Sequence, residues 1–124
     1  MSRAFDPGTL ELLDRTREVQ IVTTRPDGKR PSTTIWVVVD DGEPYIRSYR
    51  GDRALWYRDA LERPDGVELQ VAELRLPVRP VPATDDLSVA RCSSALERKY
   101  ACDPSTPAMV GEAVIDTTLR LEPR

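Results

Sequence analysis

The chain has 124 residues, of which 40% are hydrophobic, so it has the size of a single domain, residues 1–124, with a modest core. Its 18 basic and 21 acidic residues give a net charge of -3, which argues against a nucleic-acid partner held by overall positive charge. The sequence contains no histidine, which excludes histidine-based nucleophilic catalysis and metal or haem sites that depend on histidine ligands.

The first half of the chain predicts a helix followed by three consecutive strands. Asp6 is a candidate cap for a helix over residues 6–17, whose first turn contains a proline where the missing N–H costs nothing. Strands are expected over residues 18–24, 31–40 and 45–50, which are separated by the turn sequences PDGK and DDGEP. Three such strands in succession form an antiparallel meander.

The run IWVVV, residues 35–39, is apolar at every position instead of alternating. Both faces of this strand should therefore be covered. Because a chain of this length offers only two or three short helices as cover, we expect a second copy of the chain to supply the rest. The sequence thus predicts a homodimer.

The second half of the chain predicts two further helices and three further strands. The helices are expected over residues 53–64 and 84–103, and the strands over 67–74, 76–84 and 113–123, with a loop at 103–112. This order does not alternate strand and helix as a Rossmann fold does. We therefore expect a mainly β fold with flanking helices, a six-stranded antiparallel barrel.

Two prolines in the fifth predicted strand limit where that strand can pair. Pro80 and Pro82 lie two residues apart, so their nitrogens point to the same side of the strand. Proline nitrogens cannot donate to a ladder, so that side should be an unpaired edge or a bulge. We expect the barrel to be open at this point.

The sequence gives expectations for the cellular location of the protein and for its two cysteines. It shows neither a signal peptide nor a run of roughly 20 apolar residues, so we expect a cytoplasmic protein that does not enter a membrane. Cys92 and Cys102 lack the spacing of a zinc site or a disulfide framework. We expect two reduced thiols and no metal.

The segment RSYRGDRALWYRDAL, residues 47–61, is the strongest candidate for a binding site. A strand would place Ser48 and Arg50 on one face, and Gly51 would then turn the chain so that Arg53 enters the first turn of a helix. Guanidinium groups beside a helix N-terminus bind phosphate or carboxylate groups. Against this stands Asp52, which as a helix cap would repel an anion, and the arginines could equally form a solvated face.

Other candidates carry weaker signals. The polar start of the second strand, with Lys29, Arg30, Ser32, Thr33 and Thr34, could extend an anion site or simply be a polar strand end. The apolar surroundings of Trp36 favour a place in the core or an interface. The ends of the helix predicted over residues 84–103 favour Thr84 or Asp85 as a cap and Lys99 as a complement to the helix dipole.

The segments EVQIVTT, PDGKRP, TTIWVVVDDGEPYIRS and YRGDRALWYRDALERPDGVELQV together resemble the flavin-binding split-barrel superfamily, the pyridoxamine-phosphate-oxidase-like fold. Within it the chain is most similar to a branch known only as a domain of unknown function, with a similar RS-x-x-G-x-x-x-x-W segment, a late KY pair and a TLRLEP ending. The resemblance covers residues 17–124 and implies a six-stranded split barrel, usually a homodimer with the cofactor in a cleft at the interface.

The resemblance also implies a cofactor and its binding residues. The expected cofactor is FMN or a deazaflavin, which would carry the hydride and so explain the missing histidine. The implied phosphate-binding and ring-bordering positions are Arg30, Ser32, Thr33, Ser48, Arg50, Gly51, Arg53 and Trp56. The expected function is a flavin- or deazaflavin-binding oxidoreductase acting on a small molecule, and the alternatives are a cofactor-free module that binds a small anion or a dimeric interaction protein.

Overall fold

The computed structural model describes residues 4–124, and this part of the chain forms seven strands and four α-helices. The strands are β1 (Val19–Val22), β2 (Ser32–Ile35), β3 (Val38–Asp40), β4 (Glu43–Ile46), β5 (Val67–Val71), β6 (Leu74–Pro82) and β7 (Leu119–Pro123). The helices are α1 (Pro7–Arg15), α2 (Leu55–Glu62), α3 (Asp86–Lys99) and α4 (Thr106–Met109). None of the helices in this part of the chain is both long and apolar enough to cross a bilayer.

The seven strands form one antiparallel sheet in the order β2-β1-β5-β6-β7-β4-β3. The strands at its two edges, β2 and β3, follow each other in the chain and are separated only by Trp36 and Val37. The two edges must therefore lie close together, so the sheet is curled into a half-barrel. The expected mainly β fold with flanking helices is correct, whereas the expected number of six strands is not.

The extra strand arises because the predicted strand over residues 31–40 breaks in the middle. Ile35 pairs with Val19 of β1, whereas Val38 pairs with Tyr45 of β4 on the opposite edge of the sheet. Val37 and Val38 are both buried, although consecutive side chains of a straight strand would point to opposite faces. The chain turns a corner here, and each valine enters a different core.

Two apolar clusters cover the run at residues 35–39 from both sides. Val37 packs into the barrel core, which includes Leu13 of α1 and Leu69 of β5. Val38 packs into a second core with Leu96 of α3. The cover that we expected from a second subunit is thus supplied within one chain by α1 and α3.

The starts of α1 and α3 are fixed by short-range caps, as predicted. The Asp6 carboxylate accepts a hydrogen bond of 3.1 Å from the backbone N–H of Thr9, and Asp85 accepts one of 3.0 Å from Ser88. These contacts satisfy N–H groups that have no partner inside the helix.

Several predicted boundaries are wrong. The strand predicted over residues 45–50 corresponds to β4, which ends at Ile46. A 3-10 turn over Gly51–Arg53 precedes α2, so Arg53 is not in the first turn of that helix. The predicted loop at residues 103–112 contains α4. The last strand begins at Leu119 and not at residue 113, because another 3-10 turn, Ile115–Thr117, precedes it.

The prolines of β6 lie where only one side of the strand is paired. β5 pairs with residues 74–78 of β6, and the second half of β6 pairs with β7 alone. The N–H of Ala83 donates to the carbonyl of Thr118, the residue before β7, so the nitrogens of Pro80 and Pro82, at alternate positions, point to the side where β5 is absent. The predicted open side is confirmed, although β6 itself lies inside the sheet.

Candidate functional site

An open groove of about 730 Å³ lies where β2, the segment between β4 and α2, and the segment around α4 meet. Its walls combine four cations, three aromatic rings, three hydroxyl groups, two carboxylates and four apolar side chains. They are Arg25, Arg47, Arg50, Arg53, Trp36, Tyr49, Trp56, Thr33, Thr34, Ser105, Glu18, Asp103, Ile35, Ala54, Leu55 and Met109.

The cations of the groove outnumber its carboxylates. Arg25 lies 3.7 Å from the buried carboxylate of Asp59. Arg50 and Arg53 are exposed, and within residues 4–124 neither makes a side-chain hydrogen bond or an ion pair. Their guanidinium groups are therefore available to a ligand, and the groove favours an anion.

A hydrogen-bonded turn holds Arg50 and Arg53 in place. The N–H of Gly51 donates to the carbonyl of Ser48 at 3.0 Å, and the Ser48 hydroxyl donates back to the Gly51 carbonyl at 2.6 Å. Gly51 has φ +66°, a left-handed conformation that favours glycine, so the turn depends on this residue. The turn places one arginine on each side of the glycine.

Ser48 supports this turn and does not line the groove. It is fully buried, its hydroxyl is donated to Gly51, and its N–H donates to the Thr117 hydroxyl at 3.1 Å. We expected the Ser48 hydroxyl to contact a phosphate together with Arg50. Since the strand ends at Ile46, the predicted alternation of faces does not extend to these residues.

Arg47 is the largest fully buried side chain, and one part of it borders the groove. Its guanidinium donates to the Thr118 hydroxyl at 2.8 Å, the Ser93 hydroxyl at 2.9 Å, and the carbonyls of Met109 at 3.1 Å and Val89 at 2.9 Å. Burial lowers the pKa of Arg47 below its usual value. All four partners are uncharged, so the positive charge has no carboxylate beside it.

A stacked aromatic pair stands at the corner between β2 and β3. The rings of Trp36 and Tyr100 are nearly parallel, with 3.9 Å between centroids and 6° between planes. The Tyr100 hydroxyl donates to the carbonyl of Arg17 at 2.6 Å, and the Arg17 guanidinium forms an ion pair with Asp103. Trp36 is half-buried: one part of it packs against the second core, and it also lines the groove, whereas its apolar surroundings favoured a place in the core or an interface.

The structure brings together half of the predicted site residues. Thr33, Arg50, Arg53 and Trp56 line the groove, whereas Arg30, Ser32, Ser48 and Gly51 lie outside it. Arg30 is exposed and bonds to the Thr24 hydroxyl and the Gly66 carbonyl, and Ser32 donates to the Gln20 amide oxygen at 2.9 Å. The Ser32 contact lies within the hairpin of β1 and β2, and the Gly66 contact connects that hairpin to the turn before β5.

Residues of the groove that come from distant segments were not predicted from the sequence. Arg25 and Asp103 were not identified as site residues, because no local sequence pattern shows that their segments meet in the fold. Arg47 directly follows the apolar residues of the sequence PYIRS, and this position could have indicated that its side chain is buried. A buried arginine needs hydrogen-bond partners from several elements. Lys99, expected only to complement a helix dipole, donates to the carbonyls of Leu13 and Val37.

The groove can hold an anionic group and a flat apolar one. Within residues 4–124, no three Cys, Asp or Glu side chains lie together as a metal site would require. The ionisable side chains of the groove are four arginines and the carboxylates of Glu18 and Asp103, and Asp103 is already paired with Arg17. Any redox chemistry must come from a bound group.

Residues 9–121 match the model of the family described as "Uncharacterized protein conserved in bacteria (DUF2255)". No curated protein sequence matches the chain.

Solved structures show the same fold at low sequence identity. Campylobacter jejuni ChuZ is 11% identical with a TM-score of 0.74 over 94% of this chain, and the chain spans 51% of that protein. A putative pyridoxamine 5'-phosphate oxidase from Listeria innocua is 11% identical with a TM-score of 0.66, covering 94% of this chain and 91% of its own. A structure described as an F420 reductase is 20% identical with a TM-score of 0.61, covering 97% and 96%. The fold is that of the pyridoxamine-phosphate-oxidase-like split barrels.

Proposed function

The chain belongs to DUF2255, a family of uncharacterized proteins conserved in bacteria, and on the basis of its groove we propose that it binds FMN or a deazaflavin and acts as an oxidoreductase. One observation carries this proposal. Arg50 and Arg53, two exposed guanidinium groups that have no acidic partner among residues 4–124, border the same groove as Trp36 and Trp56. Relatives of the same fold include an F420 reductase and a putative pyridoxamine 5'-phosphate oxidase.

The residues of the groove fit such a cofactor in size, charge and polarity. A volume of about 730 Å³ lies in the range of roughly 300 to 1,000 Å³ typical of small-molecule sites. The unpaired charges of Arg50 and Arg53 match a phosphate, and the apolar walls match a flat ring. Arg47, which is buried and borders the groove, adds a further positive charge to its wall.

Each part of the groove has a definite role in the proposed function. Arg50 and Arg53 bind the phosphate with charge-assisted hydrogen bonds. Ile35 and Ala54, both buried, form an apolar part of one wall. The bound cofactor would supply hydride transfer, which the side chains of this chain cannot perform.

Titration with FMN and with a deazaflavin, followed by fluorescence, tests the proposal. Charge-assisted hydrogen bonds to an anion are worth roughly 1.5 to 3 kcal/mol, so Arg50→Ala and Arg53→Ala should each weaken binding about tenfold to a hundredfold. Arg58→Ala is the matched control, because the Arg58 guanidinium lies outside the groove and donates to the Asp52 carbonyl. Equal losses for Arg50→Ala and Arg58→Ala would reject the phosphate site.

The alternative, a cofactor-free module for a small anion, rests on the same cations. It predicts that inorganic phosphate binds with an affinity that depends on Arg50 and Arg53, while neither FMN nor a deazaflavin binds more tightly than phosphate. The proposed oxidoreductase predicts the reverse order of affinities. One set of titrations with three ligands separates the two functions.

We also propose that the protein is a homodimer, although the reason for this differs from the one that the sequence suggested. Tyr49 and Leu55 are each 58% exposed and border the groove, where a second copy could cover them. Leu55→Glu should therefore give a monomer in sedimentation velocity at micromolar concentration. Leu87→Glu, which changes an equally exposed leucine on α3, is the control and should leave the dimer intact.

A further inference from the structure

The stacked pair of Trp36 and Tyr100 presents one fixed ring to the groove. Tyr100 is buried, and its hydroxyl bonds to the Arg17 carbonyl, so this ring has a single orientation. Trp36 lies flat on Tyr100 and is thereby fixed on one face. A ring that is already immobilised loses little conformational freedom when a ligand packs against it.

The opposite face of Trp36 is not covered by the nearest cation. The Cζ atom of Arg17 lies 5.9 Å from the Trp36 centroid and 5.5 Å from the Tyr100 centroid. If Arg17 lay above the outer face of Trp36, its Cζ atom would be several ångströms farther from the Tyr100 centroid than from the Trp36 centroid. The two distances from Cζ to these centroids are nearly equal, so Arg17 lies beside the stack and not on the outer face of Trp36. Its ion pair with Asp103 holds it there.

Trp56, the other tryptophan of the groove, lacks such a surface. It is only 7% exposed and belongs to the barrel core. It meets Tyr57 edge to face, with 6.0 Å between centroids and 89° between planes. Trp56 therefore supports the wall of the groove, whereas Trp36 offers a face.

We infer that the outer face of Trp36 is the stacking platform for the planar conjugated ring of the ligand whose anionic group binds Arg50 and Arg53. This inference rests on the proposed function and specifies where in the groove the ring lies. Indole is electron-rich, and offset stacking with an electron-poor ring adds to the area that the contact buries. The ligand ring becomes the third layer of a stack with Trp36 and Tyr100.

Titration of FMN and a deazaflavin into three variants tests the platform. Removing one stacked aromatic partner weakens binding by about fivefold to a hundredfold, so Trp36→Leu should show a loss in this range. Trp36→Phe keeps a ring at the position and should stay within about threefold of the wild type. Phe5→Leu removes a ring that packs against the barrel core outside the groove and should also have little effect. Inorganic phosphate should bind the wild type and Trp36→Leu equally.

The outcomes distinguish the platform from the proposed function. Equal weakening by Trp36→Leu and Phe5→Leu would overturn the platform and leave the cofactor proposal standing. A wild-type protein that binds neither cofactor would overturn both.

A second measurement does not require Trp36→Leu to fold. In a Trp56→Phe variant, Trp36 is the only tryptophan, since the chain has two. Stacked FMN should quench its fluorescence almost completely at saturation. Saturating FMN that leaves most of this emission in place would overturn the platform.

Discussion

The ammonium group of Lys99, at the end of α3, donates a hydrogen bond of 2.6 Å to the carbonyl of Val37, in the corner between β2 and β3. It donates a second one of 2.9 Å to the carbonyl of Leu13 in α1. One side chain thus joins two helices to the point where the two edges of the sheet meet. Burial lowers the pKa of Lys99 to about 8, against the weaker opposing effect of Asp14.

The lowered pKa of Lys99 predicts a pH-dependent contribution to stability. Between pH 8 and the ordinary lysine pKa of 10.5, the unfolded chain holds a proton that the folded chain has released. Stability therefore rises with pH in this window. The free energy of unfolding of the wild type, minus that of Lys99→Met, should increase from pH 8 to 10.5 by up to about 2 kcal/mol. Urea titrations at several pH values measure this difference, and a constant difference would contradict the prediction.

The buried guanidinium of Arg47 should be essential for stability. Arg47→Met removes four hydrogen bonds that join the segment after β4 to α3, α4 and the segment before β7. It should lower the free energy of unfolding by about 2 to 4 kcal/mol. Arg58→Met, at an exposed position, should change it by no more than about 0.5 kcal/mol. Urea denaturation of both variants gives the comparison. Similar values for the two would show that the Arg47 contacts contribute little.

Gly51 should be intolerant of a side chain because of its backbone conformation. At φ +66° an L-residue is strained, so Gly51→Ala should cost about 1 to 2 kcal/mol in unfolding free energy. The added Cβ would lie 3.4 Å from the Ala113 carbonyl oxygen, an ordinary contact, so the cost comes from φ and not from a clash. Gly111→Ala is the control, since Gly111 has no positive φ. A Gly51→Ala protein as stable as Gly111→Ala would disprove the strain.

The two thiols should react at very different rates. Cys102 is exposed, whereas Cys92 is fully buried in the second core, and burial raises the pKa of its thiol to about 11. A disulfide reagent such as Ellman's should therefore label one thiol rapidly in the native protein and the second only with unfolding. Cys102→Ser should abolish the rapid phase. Two rapid equivalents in the wild type would contradict the burial of Cys92.

Features that depend on a few neighbouring residues could be predicted from the sequence. The caps at Asp6 and Asp85 each involve a residue and an N–H three positions later, so the local pattern contains all the necessary information. The unpaired side of Pro80 and Pro82 follows from the chemistry of proline alone. Arg50 and Arg53 were found because they flank a glycine turn within four residues.

Features that depend on distant segments could not be predicted in this way. The break at Trp36 and Val37 occurs because β2 and β3 pair with different strands, and strand partners are not encoded in local periodicity. Arg47 turns inward because hydroxyl and carbonyl groups from Val89 to Thr118 meet it there. Ser48 supports the turn and does not face the groove, because β4 ends four residues earlier than the predicted strand over residues 45–50. Arg30 and Ser32 lie outside the groove because they bond to Thr24, Gly66 and Gln20.

The place of β7 in the sheet has a consequence for how the chain folds. The hairpins β1–β2, β3–β4 and β5–β6 join neighbours in the chain and can form within microseconds, whereas β7 pairs with β6 on one side and with β4 on the other. During synthesis, β4 can pair with β7 only after residues 119–120 have left the ribosome. The joining of two preformed halves by the last strand is a long-range step, which makes it the natural rate-limiting event of folding.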